Sequence, residues 1–143
     1  MELQRDGYTI SDDPGRVDLD ATWRFLRTAY WSPGVARDVV ERSIAGSVCF
    51  GLYAPDGSQA GFARAVTDRA TFAWIADLFV LEPHRGRGLG VWLVESILDH
   101  PDLAGLRQIV LATADAHSLY RRFGFEAADP GRYMVRRAPA AGP

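Results

Sequence analysis

The 143-residue chain contains no lysine and no asparagine, and all 16 of its basic residues are arginine. Without an ε-amine no Schiff base can form, which removes pyridoxal-phosphate chemistry. A Walker A loop needs Gly-Lys-Ser/Thr and is excluded for the same reason. N-linked glycosylation has no acceptor side chain. A single cysteine, Cys49, rules out an intrachain disulfide and a multi-cysteine metal site. It stands in the apolar run Val48-Cys49-Phe50, which reads as a buried, inert thiol. His84, His100 and His117 lack the i, i+4 spacing of a helical zinc motif, so no metal centre is expected. Apolar runs are too short to span a bilayer, and Met1–Asp6 is polar. A soluble cytoplasmic protein with no membrane partner is the expectation.

An excess of charge of either sign is also lacking. The formal balance is −2, without the basic footprint of a nucleic-acid binder, and no nucleic-acid partner is expected. What is abundant is apolar content, at 48%, enough for one self-sufficient core. The reading is one domain over residues 1–137, with the proline-bearing tail 138–143 frayed.

Periodicity places a short first strand at Tyr8–Ser11. Helices follow at Asp18–Ala29, with Asp18 placed to cap, and at Val35–Ala45. Val48–Ala54 and Gly61–Thr67 flank Pro55-Asp56-Gly57-Ser58, a hairpin turn. Thr71–Leu81 is apolar at nearly every position and reads as a central strand covered on both faces. A helix over Leu89–Asp99, a strand at Gln108–Ala112, a helix at Asp115–Phe123 and a closing strand at Arg132–Arg136 complete the order. Meandering strands first and a crossover helix late predict an α+β fold with a sheet of mixed direction.

The most specific run is Pro83-His84-Arg85-Gly86-Arg87-Gly88-Leu89-Gly90, a glycine-rich turn between a strand and a helix. Glycines let backbone N–H groups approach an anion, and the helix N-terminus adds partial positive charge. Arg85 and Arg87 can add more. A dinucleotide fingerprint fails, because its third glycine falls on Val91 or Leu93. Asp77 is the only ionisable residue of Thr71–Leu81. It reads either as a base or amine-binding group, or as the partner of an arginine such as Arg64 on a neighbouring strand.

With these residues in view the chain resembles the GNAT superfamily of acyl-CoA-dependent N-acetyltransferases. Arg85-x-x-Gly88-x-Gly90 is similar to the family's Gln/Arg-x-x-Gly-x-Gly/Ala signature, and Ala116-x-x-Leu119-Tyr120-Arg121-Arg122-Phe123-Gly124-Phe125 to its late helix and Gly-Phe exit. The likeness spans about Val48–Val135. It implies a mostly antiparallel sheet with helices on both faces and strands splayed at the cofactor slot. Acetyl-CoA would be the acyl donor, its pyrophosphate held by the amides of Arg85, Gly86, Arg87, Gly88, Leu89 and Gly90. The strand Leu78-Phe79-Val80 would pair with the pantetheine arm. Tyr120 would protonate the leaving thiolate and Asp77 would take the amine's proton. The family often opens the late helix with asparagine, where this chain has Asp115. A carboxylate can cap that helix but cannot donate to the cofactor.

Tyr30 and Trp31, between the first two helices, would wall the acceptor site with Arg64. The resemblance implies a small-molecule amine acceptor. The alternatives are a protein or peptide amine, or a non-catalytic acyl-CoA-binding module. Small members of this fold often pair, so a homodimer is among the expectations.

Overall fold

The computed structural model describes residues 1–139; the expected frayed tail lies largely outside them. One six-stranded sheet runs in the order β1 to β6: β1 (Glu2–Arg5), β2 (Tyr8–Ser11), β3 (Val48–Tyr53), β4 (Gln59–Thr67), β5 (Phe72–Val80) and β6 (Gln108–Val110). Every neighbouring pair is antiparallel except β5 and β6. The helices are α1 (Leu19–Leu26), α2 (Arg37–Ala45), α3 (Leu89–Asp99) and α4 (His117–Arg121).

Strand alternation divides the core into two layers. On one face Phe50, Leu52, Ala63, Ala65, Ala73 and Ile75 pack with α3 through Leu89, Trp92, Leu93 and Ile97. The alanines leave room for the Trp92 indole. On the other face Cys49, Phe62 and Phe79 meet Leu26 of α1 and Val40 of α2. Helices therefore cover both faces. Leu93 and Ile97 are fully buried, and such side chains contribute about 1.5–3 kcal/mol each.

Local signals explain most boundaries. The Asp18 carboxylate accepts from the Ala21 amide at 3.0 Å and starts α1. The amides of Gly57 and Ala54 close the expected hairpin on Ala54 and Ser58 carbonyls. Helix α3 spans the residues that its periodicity predicts.

Four expectations are corrected. Tyr8–Ser11 is the second strand, paired with Glu2–Arg5, whose four residues are all exposed. Strand β5 is not covered on both faces along its whole length, because Phe72 and Trp74 near its start are 38% and 39% exposed. No strand forms at Arg132–Arg136; Met134 is 98% exposed, and Gln108 reaches this segment through the Tyr133 hydroxyl at 2.7 Å. The late helix is shorter than Asp115–Phe123, and Asp115 does not cap it; the Thr113 hydroxyl accepts from the Ala116 amide instead. Among the described residues no helix is long and apolar enough to cross a membrane.

Candidate active site

The register of β5 creates the site. Its parallel pairing with β6 covers Phe72, Ala73 and Trp74 and then stops. On its other edge, Arg64 of β4 pairs with Ala76 and Phe62 pairs with Phe79. Ala63 alone therefore opposes both Asp77 and Leu78, a β-bulge. Asp77 is the extra residue, at φ 57°, a left-handed conformation that aspartate visits more readily than most residues. Uninterrupted alternation would send its side chain to the α3 face with Ala73 and Ile75. The bulge turns it to the α1/α2 face, beside Arg64.

There the Arg64 Nε donates to Asp77 Oδ2 at 2.6 Å, and the Trp31 indole donates to Oδ1 at 2.9 Å. The Arg64 Nη1 also donates to the Ser47 hydroxyl at 3.2 Å. The side chains of Arg64 and Asp77 are only 19% and 11% exposed. Both readings of Asp77 thus meet in one place. It is paired with Arg64, and it lines a cleft of about 610 Å³.

That cleft opens where β5 and β6 part. Its walls come from the α1–α2 segment (Tyr30, Trp31, Val35, Val39), from Trp74–Leu78, and from Leu111–Ala116 with Leu119 and Tyr120. The Ala114 amide donates to the Tyr30 hydroxyl at 3.0 Å and joins two of these walls. Tyr120 is buried against Phe125, an edge-on pair with centroids 5.7 Å apart. Burial, with Tyr30 and Asp115 nearby, raises its phenol above the usual tyrosine pKa of 10. The phenol therefore keeps its proton throughout the neutral range.

The glycine loop lies at the far end of β5. Gly86 and Gly88 take φ of 81° and 76°, which L-residues rarely adopt, and Gly88 begins α3 without a capping side chain. A Cβ at Gly86, Gly88 or Gly90 would meet nothing within 4 Å, so no neighbouring residue fills the space beside the loop. This cradle fits an anionic group.

Of the residues expected there, some contribute only main chain. The Phe79 ring stacks on Phe25 at 4.0 Å, and Leu89 is core. The Arg85 Nε donates to the Val80 carbonyl at 2.8 Å, so Arg85 braces the loop against β5 and takes up one of the carbonyls expected to meet pantetheine. Sequence reasoning missed Ser47, Trp74, Val39 and Thr113. Trp74 had a signal, since Phe72, Trp74 and Ala76 share a face at period two.

Known proteins share this fold. A family model described as the acetyltransferase (GNAT) family matches residues 10–125. It starts upstream of the likeness seen in the sequence and ends before the segment that fails to form a strand. A crystal structure of a protein belonging to the GNAT family, from Xanthomonas campestris pv. campestris, is 42% identical. It superposes with a TM-score of 0.89 over 92% of this chain and 94% of that one. A Gibberella zeae protein with an acetyltransferase name, FG08082, is 28% identical over 81% of this chain and 77% of its own length. A Clostridium acetobutylicum protein crystallised with acetyl-CoA shares the fold, with a TM-score of 0.69 at 13% identity over 96% of each chain.

Proposed function

Because the chain belongs to the GNAT acetyltransferase family, we propose that it moves an acetyl group from acetyl-CoA to the primary amine of a small molecule, the amine attacking the thioester directly. The observation that carries this reading is the parting of β5 from β6 after Trp74. It exposes the edge of Ala76–Val80 between an anion cradle at one end and the Asp77–Tyr120 cleft at the other.

In the reaction an N–C bond forms and the C–S bond breaks. The amine gives up a proton and the departing thiolate takes one. The amides of Arg87, Gly88 and Gly90 hold the pyrophosphate, and the main chain of Leu78 lies along the pantetheine amides. Free amines, with pKa values of about 8–10, arrive mostly protonated. Each Asp77 oxygen keeps a lone pair beyond those used by Arg64 and Trp31. The carboxylate receives the ammonium there and passes its proton on, directly or through water. Tyr120, neutral and sheltered, protonates the thiolate.

The test is thiol release from acetyl-CoA by the full chain across a panel of primary amines, with calorimetry of coenzyme A binding. Amine-dependent release supports the reading. Coenzyme A that fails to bind, or release indifferent to any amine, overturns it.

A further inference from the structure

We propose that the acceptor is an arylalkylamine-type molecule: a primary amine on a flat apolar body, with no phosphate, carboxylate or second ammonium. This rests on the acetyl-transfer reading above and narrows it. Tyr30, Trp31, Val39 and Trp74 are each between 39% and 57% exposed, and all four line the one cleft. Large apolar side chains left in water together mark a surface that a ligand covers. Three of them are aromatic, suited to stacking on a ring and to the face of an ammonium.

The charges of the cleft point the same way. Its only cation, Arg64, is bonded to Asp77 and to Ser47. An anionic acceptor would have to take Arg64 from a carboxylate 2.6 Å away. Of its two carboxylates, Asp77 has room for one ammonium. Asp115 belongs with the phenol, close enough to help raise the Tyr120 pKa. Beyond Asp77 and Asp115 no further anion lines the cleft to hold the far end of a polyamine.

The order along β5 fits as well. From the glycine loop the strand runs through Val80 and Leu78 to Asp77 and then Trp74. At about 3.3 Å per residue, Trp74 stands roughly 10 Å along the strand from Asp77, so an amine held at Asp77 by a short alkyl arm brings its ring toward the indole.

The experiment compares kcat/KM for phenethylamine, tryptamine, spermidine, glucosamine 6-phosphate and a lysine-containing peptide, with acetyl-CoA as donor. The two aromatic amines are expected to exceed the rest by about tenfold or more. Trp74→Ser should raise KM for phenethylamine about tenfold, with kcat, coenzyme A affinity and melting temperature near wild type, and Trp74→Phe should restore most of it. Equal or faster turnover of spermidine, the sugar phosphate or the peptide overturns this inference and leaves acetyl transfer standing. An unchanged KM in Trp74→Ser overturns it too. No thiol release with any amine, while coenzyme A binds, overturns acetyl transfer itself and the acceptor with it.

Discussion

Trp31 and Asp77 stand 46 positions apart, yet the indole of one donates to the carboxylate of the other over 2.9 Å. This bond joins the α1–α2 segment to the bulge of β5, so the acceptor wall and the site's carboxylate are positioned together. Arg64 holds the second oxygen from β4. Three separate parts of the chain therefore meet at one side chain.

Removing that carboxylate should have two separable effects. Asp77→Asn leaves a largely buried Arg64 without its anion, and urea unfolding should show a loss of about 2 kcal/mol. Turnover at neutral pH should fall and recover in part at higher pH, where more amine is already deprotonated. Combining it with Arg64→Leu should regain stability but not turnover. Normal turnover in a merely less stable Asp77→Asn enzyme would reduce the residue to an ion-pair partner.

Tyr120→Phe keeps the ring against Phe125 and removes only the hydroxyl. Turnover should drop by about 10²-fold, the low end for a positioned acid. Melting temperature and coenzyme A affinity should hardly move. Turnover within about twofold of wild type would make Tyr120 a packing residue.

The same phenol sets a pH limit. Its folded pKa lies above 10, so below pH 10 both folded and unfolded states are protonated and it contributes no pH dependence. Above pH 10 the unfolded chain loses the proton first, and stability falls with rising pH. The rate in kcat/KM should climb as the amine deprotonates and decline only above pH 10, a decline absent from Tyr120→Phe. A falling limb near neutrality would refute the assignment.

Gly88→Asp should abolish coenzyme A binding in calorimetry. Its side chain enters open space but at a φ of 76° costs about 1–2 kcal/mol, so the fold should persist with a lowered melting temperature while a carboxylate stands at the helix start where the pyrophosphate would sit. Unchanged affinity would remove the cradle from the site.

Cys49 lies under α2, its thiol donating to the Ile44 carbonyl at 3.5 Å, and burial pushes its pKa up to about 11. A disulfide reagent at pH 8 should leave it unmodified in the folded chain and modify it promptly in urea.

Much of this architecture was readable residue by residue. Glycines at Gly86, Gly88 and Gly90 before a 3.6-residue apolar stripe mark the loop and α3, because turn chemistry and helix periodicity are local. Pairing is not local. Glu2–Arg5 has no apolar alternation and forms a strand only because β2 offers it an edge. The segment Arg132–Arg136 carries a strand-like pattern but finds no partner. Asp77 stood out as a lone charge in an apolar strand, whereas the direction of its side chain depends on Ala63 opposing two residues at once. The glycine loop and Tyr30–Trp31 were thus legible, whereas the contribution of Val39 and Trp74 to the cleft was not.

The bulge also sets how this strand can change. Before it, even-numbered positions of β5 face α1 and α2; after it, Phe79 does. The strand is two segments out of phase, joined at one residue. Substitution at Trp74 can reshape the cleft without disturbing the pairing that holds Leu78 and Val80 in register. Losing the bulged residue Asp77 would instead restore regular alternation, with Leu78 opposite Ala63 and Phe79 still opposite Phe62, so every later side chain would keep its layer and only the carboxylate would go. Neither layer of the core needs the bulge for its packing; what the extra residue adds is the side chain that it turns toward Arg64.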